Sequence, residues 1–257
     1  MNDGTDSSCL DHGRKALSSE PSSPGRSRTA LAPAGPRRVP PPAPPRGREL
    51  ARTVVAPLLL VTAAVVYNDW LLEFLLPTGL DPRHSYVSEL FAADQRFHVL
   101  FTTAELVAAT LVVAGALLAR DPRAGAPAEG GWWCLVAFGV CSVADVIVPM
   151  RCAPSVEPGC EAVNPWHTAT SGLVHAALFG SMFLLTVAAA RTRWPVPHRW
   201  APWVPAAALA TAVATVGPLF GHPGWHGVPQ RAHLALVGAW FVLLAAGLRG
   251  SARASGP

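Results

Sequence analysis

The sequence predicts an all-α, polytopic membrane bundle of six transmembrane helices with both termini on the cytoplasmic side. Three observations predict it. The chain is 51% hydrophobic and only 14% charged, whereas an ordinary soluble domain is about a quarter charged. Its charges crowd into the first fifty residues and a few short segments. They leave apolar runs of about 18 or more residues, long enough to cross a hydrocarbon core. The basic residues also fall on alternate connections between those runs.

Residues 1–52 are rich in Ser, Pro, Gly and Arg and end in a proline run, Val39-Pro-Pro-Pro-Ala-Pro-Pro-Arg46. Such a segment buries too little apolar surface to offset its ordering entropy and reads as a disordered cytoplasmic tail. The proline run favours polyproline II and serves as a spacer. The transmembrane domain follows over residues 53–250. Its expected spans are 53–76, 97–119, 132–150, 167–190, 201–220 and 232–248, each able to cross ~30 Å at about 1.5 Å per residue. The first is too long for the apolar core of a signal peptide and reads as an uncleaved anchor. Trp132, Trp133, Trp166, Trp200 and Trp203 lie at expected span ends, where amphipathic rings prefer the headgroup level. Recurrent Ala and Gly suit close helix packing in lipid.

Orientation follows from the basic residues. Nine precede or include Arg52. Arg120, Arg123, Arg191, Arg193, Arg199, Arg249 and Arg253 share that side, and Arg83, Arg96, Arg151 and Arg231 alone face outward. The positive-inside rule then places the termini in the cytoplasm. The formal net charge of +4 is spread over span flanks, a pattern for anionic lipid headgroups and not for nucleic acid. Membrane lipids are the expected partners. Cys152 and Cys160 fall in the outward third connection, where disulfides persist, with Pro154, Pro158 and Gly159 allowing the chain to turn back between them; they are expected to pair. Cys134 and Cys141 read as small core residues of the third helix.

Ionisable residues inside membrane helices are expensive and face the bundle interior. Here nearly all fall in the outer half. Asp69 and Glu73 end helix one; His98, Thr102 and Glu105 share a face of helix two, with Glu105 ~12 Å into the span. Asp145 is near the end of helix three, and His167, Ser171 and His175 follow i, i+4, i+8 on helix four. Gln230, Arg231 and His233 open helix six. The candidate polar layer is therefore Glu105, Asp145, His167, Ser171, His175, Arg231 and His233. Pro149 supplies no N–H to the Asp145 carbonyl four residues back, which opens the helix beside a buried carboxylate.

Three functions fit such a layer. It can bind a small ligand, lipid headgroup or ion. It can hold zinc on Asp145, His175 and His233 and hydrolyse with zinc-bound water, since zinc catalysis needs three protein ligands. It can carry protons for a coupled transporter, because histidine titrates near neutrality. Helix five brings Thr211 and Thr215 but no ionisable group to such a path. His222-Pro-Gly-Trp-His226 has ligand-like spacing but sits in a Gly/Pro loop. Asp145, His175 and Arg231 can alternatively satisfy one another. Ser88, in Tyr86-Val-Ser-Glu-Leu90, reads as a cap or turn residue. No glycine-rich phosphate loop or serine elbow is present.

Four stretches carry a family resemblance: His84-Ser-Tyr-Val-Ser-Glu-Leu90, Ala144-Asp-Val-Ile-Val-Pro-Met-Arg-Cys152, His167 through His175, and Gly227-Val-Pro-Gln-Arg231. Over residues 53–248 the chain resembles the uncharacterised bacterial membrane family catalogued as domain of unknown function 998. The resemblance implies a bundle of about six helices in a bacterial inner or plasma membrane, and carries no established activity. A looser similarity is to membrane hydrolases of the ceramidase and adiponectin-receptor type, which gather serine, aspartate and histidines around zinc. This chain departs from them: its last helix has His233 in place of a histidine pair, and it has one helix fewer.

Overall fold

Prolines and chain breaks set the helices of the computed structural model, which describes residues 46–160, 164–192, 194–221 and 224–254. The expected tail up to residue 45, Cys9 and His222 lie outside the described residues. α1 spans Gly47–Phe74 in four stretches, the first an α-helical turn, Arg46–Leu50. Pro57 offers no N–H to the turn before it, and that turn is a π-helix, Ala51–Val55. The α-helical stretch Ala56–Val66 stops at Tyr67 and Asn68. The Asn68 amide donates to the Ala64 carbonyl at 2.8 Å and accepts from Trp70 Nε1 at 3.0 Å. The chain resumes as a 3₁₀ turn, Asp69–Phe74, which buries Asp69 and Glu73. α2 (His98–Ala119), α3 (Ala126–Ile147) and α4 (Pro165–Thr192) follow. Then come two short helices, α5 (Pro195–Trp200) and α6 (Trp203–Ala214), and finally α7 (Gly227–Ala254). No strand occurs among the described residues.

α1, α2, α3, α4 and α7 are each long and apolar enough to cross a membrane. The expected continuous fifth span, 201–220, is corrected. Its α-helix runs for only 12 residues, about 18 Å, with α5 before it and a 3₁₀ turn, Gly217–Phe220, after it. Pro195, Pro197, Pro202, Pro205 and Pro218 each remove a backbone donor, so the apolar run cannot form one helix. The third span also shifts. α3 begins at Ala126 and ends before Pro149, so that proline terminates the helix instead of kinking it. Trp132 thereby moves from an expected headgroup position into the interior, 3% exposed and edge-on to Trp194 at 6.5 Å.

The long helices form a ring in which α4 packs on α3, α3 on α2, α2 on α1, α1 on α7 and α7 on α6. Small residues permit the closest approaches. A Cβ on Gly139 of α3 would lie 2.8 Å from the Ala109 carbonyl of α2, and one on Gly131 would lie 2.6 Å from Leu185 of α4. The core joins Leu60, Val112, Leu135, Leu178, Leu185, Trp240 and Leu244, with Tyr67, Phe138 and Phe241 meeting edge to face at 5.8–5.9 Å. Only 28% to 56% of each long apolar window is buried inside the protein; Val65, Leu75, Ile147 and Phe183 point outward. Apolar residues on both the inner and outer faces of long helices are the mark of a multi-pass membrane protein.

At one end of the ring Arg52 pairs with Asp121 at 2.7 Å. Arg120 pairs with Glu129 there and lies 3.8 Å above the Trp133 ring. At the other end the 75–97 connection folds back over the helices, and Cys152 and Cys160 form a disulfide, their Cα atoms 6.0 Å apart. Cys134 and Cys141 are free and half-buried, and Cys141 packs on the core.

Candidate functional site

A cavity of about 150 Å³ lies at the end of the bundle opposite Arg52 and Arg120. α1 gives Tyr67 and Asp69 at its α-to-3₁₀ break. α2 gives Thr102 and Glu105 from one face. α3 gives Ser142 and Asp145 from its last two turns, with Pro149 and Met150 beyond its end. α4 gives His167, Ser171 and His175, and α7 gives Gln230 and Leu234. The 75–97 connection supplies Val87, Ser88 and Phe91 as a cover.

That cover is a short 3₁₀ helix, Val87–Phe91, held by polar contacts from distant chain. Glu89 accepts from the Tyr86 N–H at 2.8 Å, the Ser155 N–H at 2.9 Å and Ser155 Oγ at 2.5 Å. Gln230 Oε1 accepts from the Val87 N–H at 2.6 Å, and the Met150 carbonyl accepts from the Ala93 N–H at 2.9 Å. Tyr86 donates its hydroxyl to the Thr215 carbonyl at 3.1 Å. Ser88 lies within the turn, its Oγ 3.5 Å from Met150 Sδ; Glu89, not Ser88, satisfies the N-terminal N–H.

Asp145 is the most connected acid of the cavity. Thr170 donates to its Oδ1, Ser171 Oγ lies 3.0 and 3.2 Å from its two oxygens, and His167 Nδ1 is 3.3 Å from Oδ1. His175 Nδ1 donates to the Ser171 carbonyl at 2.8 Å. Asp69 is 8% exposed, and its Oδ2 has no hydrogen-bond partner. Three carboxyl groups thus share the cavity, and no arginine or lysine among the described residues lines it.

The candidate layer divides. Glu105, Asp145, His167, Ser171 and His175 come together in the cavity. Arg231 and His233 do not line it. Arg231 turns toward α1, where Nε and Nη2 hold both Glu73 oxygens at 2.5 and 2.6 Å, and Nη1 donates to the carbonyls of Ser85 and Gly227 at 3.0 and 3.1 Å. The expected mutual satisfaction of Asp145, His175 and Arg231 is therefore replaced by a buried Glu73–Arg231 pair. His233 sits behind His175, its Nδ1 donating to the Ala208 carbonyl at 2.9 Å.

The candidate zinc ligands Asp145, His175 and His233 are not gathered into one set among the described residues. The two imidazoles stack at 5.1 Å with their planes 20° apart. Nearly parallel rings cannot aim in-plane lone pairs at one ion 2.0–2.1 Å from each. Asp145 is turned to Thr170 and Ser171. Among the described residues no three His, Cys, Asp or Glu side chains gather for a metal. Tyr67, Ser142 and Thr170 were missed by sequence reasoning. Ser142 was discoverable, because it precedes Asp145 by three residues and shares its helical face; Tyr67 and Thr170 carried no such signal.

The family described as "Protein of unknown function (DUF998)" matches residues 54–247, which include every helix that lines the cavity. The chain belongs to this family. No curated protein and no solved structure gave a match. Within the matched range the cavity and its cover draw on Ser88, the end of α3 with Asp145 and Met150, the start of α4 with His167 to His175, and Gln230 on α7.

Proposed function

We propose that the cavity binds a small cationic solute with hydrogen-bond donors, of the protonated-amine class, and that it opens on the non-cytoplasmic face. The observation that carries this reading is Asp69 Oδ2, buried without a partner in a chamber holding two further carboxyl groups and no basic side chain other than histidine. A buried carboxylate oxygen without a donor is costly, and an ammonium group supplies both the charge and the donors. Glu105, Ser142, Ser171 and Thr102 offer further acceptors, and Phe91, Val87 and Leu234 suit the carbon skeleton. Tyr67, Phe138 and Phe241 form an aromatic floor, which favours binding over passage.

The test is thermal unfolding of purified protein with ethanolamine beside uncharged ethylene glycol. The amine raises the melting temperature and the diol does not. Asp69→Asn and Asp145→Asn each weaken the response about tenfold or more, as loss of a charged hydrogen-bond partner does. Equal shifts from amine and diol, or unchanged affinity in both variants, would remove the amine reading. The outward opening follows from the arginine distribution. Reporter fusions after Gly125 and after Pro158 check it: a periplasm-type reporter stays silent at the first and is active at the second, and the reverse pattern inverts the assignment.

A further inference from the structure

Three carboxyl groups line one chamber from three different helices: Asp69 on α1, Glu105 on α2 and Asp145 on α3. They are within electrostatic reach of one another, since Asp69 and Asp145 both act on Glu105 and all three act on Tyr67. The other titratable groups of the lining are His167 and His175 on α4. α7 contributes Gln230 and Leu234, and the cover Val87, Ser88 and Phe91, none of them ionisable. Behind the lining, Glu73 and Arg231 hold each other, and His233 stacks on His175.

The surroundings of the acids differ. Asp145 has Thr170 and Ser171 as donors and His167 beside it. Asp69 is buried, and nothing reaches its Oδ2. Among the described residues no arginine, lysine or histidine forms an ion pair with it. Water in the chamber can supply a donor but no charge. Neighbouring carboxylates in a low-dielectric site do not all ionise, and a buried carboxylate without a counter-ion is neutralised. The empty chamber therefore needs a cation at Asp69, and the smallest one is a proton.

We propose that the chamber is an exchange site: empty, it holds a proton on Asp69, and an arriving ammonium group displaces that proton to water. This rests on the amine reading above and adds its regulation. The charge balances, one cation leaving as one enters. The O–H bond of Asp69 breaks, its electron pair stays on the carboxylate oxygen, and water or buffer takes the proton. The carboxylate then accepts an N–H of the ammonium. Proton and amine compete for one oxygen, so acid on the open face lowers amine occupancy.

Isothermal titration calorimetry of ethanolamine into the full chain in detergent tests it, at about pH 6.5 in phosphate and again in MES, with sodium held equal. MES takes up a released proton with more heat than phosphate does. In wild type the two binding heats should differ by close to one proton per amine, and affinity should fall severalfold per unit as pH drops from about 7 to 5. Asp69→Asn, folded by circular dichroism, binds more weakly and releases no proton; should it not fold, the wild-type series alone decides. Binding with equal heats in both buffers and a flat pH dependence leaves the amine reading standing and overturns the exchange. Heats that follow sodium concentration instead of buffer, or release undiminished in Asp69→Asn, overturn it too. No heat and no shift in melting temperature at any pH removes the amine reading itself, and the exchange with it.

Discussion

Breaking the Glu73–Arg231 pair should cost more stability than any other single polar change in the described part of the chain. Glu73 is fully buried and Arg231 is 7% exposed at the side chain, and the guanidinium makes four hydrogen bonds. Glu73→Gln leaves a desolvated cation facing two backbone carbonyls and a neutral amide. Removing one partner of a buried pair costs about 3–5 kcal/mol. At ~2–4 °C per kcal/mol for a chain of this size, that lowers the melting temperature by about 10 °C. Arg231→Gln should do the same from the other side. The double change Glu73→Leu/Arg231→Met removes both charges and strands only the Ser85 carbonyl, at about 1 kcal/mol, because the Gly227 carbonyl keeps its helical N–H donor. It should therefore be more stable than either single variant, with a coupling energy of about 3 kcal/mol or more. Thermal unfolding in detergent, followed by tryptophan fluorescence, reads all four proteins. Single variants within about 1 kcal/mol of wild type, or effects that simply add, would refute the reasoning that the pair is desolvated and exclusive.

Two further outcomes follow from the cover and its surroundings. Alkylation mapping without reductant should leave Cys152 and Cys160 unmodified. Cys152→Ser should cost about 2.5 kcal/mol from the eight-residue separation alone, and labelling of both cysteines in native protein would contradict the pairing. Burial lowers the pKa of His226 below its ordinary value; His84 and Arg231 add to that, and Glu89 opposes it. The unfolded chain then takes up this proton first, so the contribution of His226 is complete above about pH 6.5 and is lost as pH falls below it. Melting temperatures between pH 7.5 and 5 should fall less steeply in His226→Gln, and an identical slope would exclude this histidine as the cause.

Run length and composition made five crossing helices legible, because the cost of unpaired backbone in lipid leaves long apolar runs few alternatives to the helix. The fifth span misled for a definite reason. Its hydropathy is that of a membrane helix, but Pro202 and Pro205 act on hydrogen bonds, which hydropathy does not register. At the site, residues sharing one helical face were readable in advance: Thr102 with Glu105, and His167 with Ser171 and His175. Pairings between helices were not. Glu73 and Arg231 stand 158 residues apart, and nothing in either local sequence says that Arg231 turns toward α1 and leaves Asp145 to Thr170 and Ser171. Ring stacking of His175 on His233 is equally invisible to spacing, and it decides whether those two side chains can share an ion.

The same 158-residue gap has a meaning for biogenesis. At about 5–20 residues per second, α1 emerges roughly 8 to 30 s before Arg231 is made. Throughout that interval Glu73 has no counter-ion, and Val87 has no Gln230 to receive its N–H. A lone carboxyl is a poor occupant of lipid, so the Glu73 end of α1 stays in contact with water, or with the insertion machinery, until the last helix arrives. The chamber and its cover are completed in one late step, when α7 delivers Gln230 and Arg231 together. A ribosome stalled before residue 231 would therefore hold a chain whose other long helices are made but whose cavity does not yet exist.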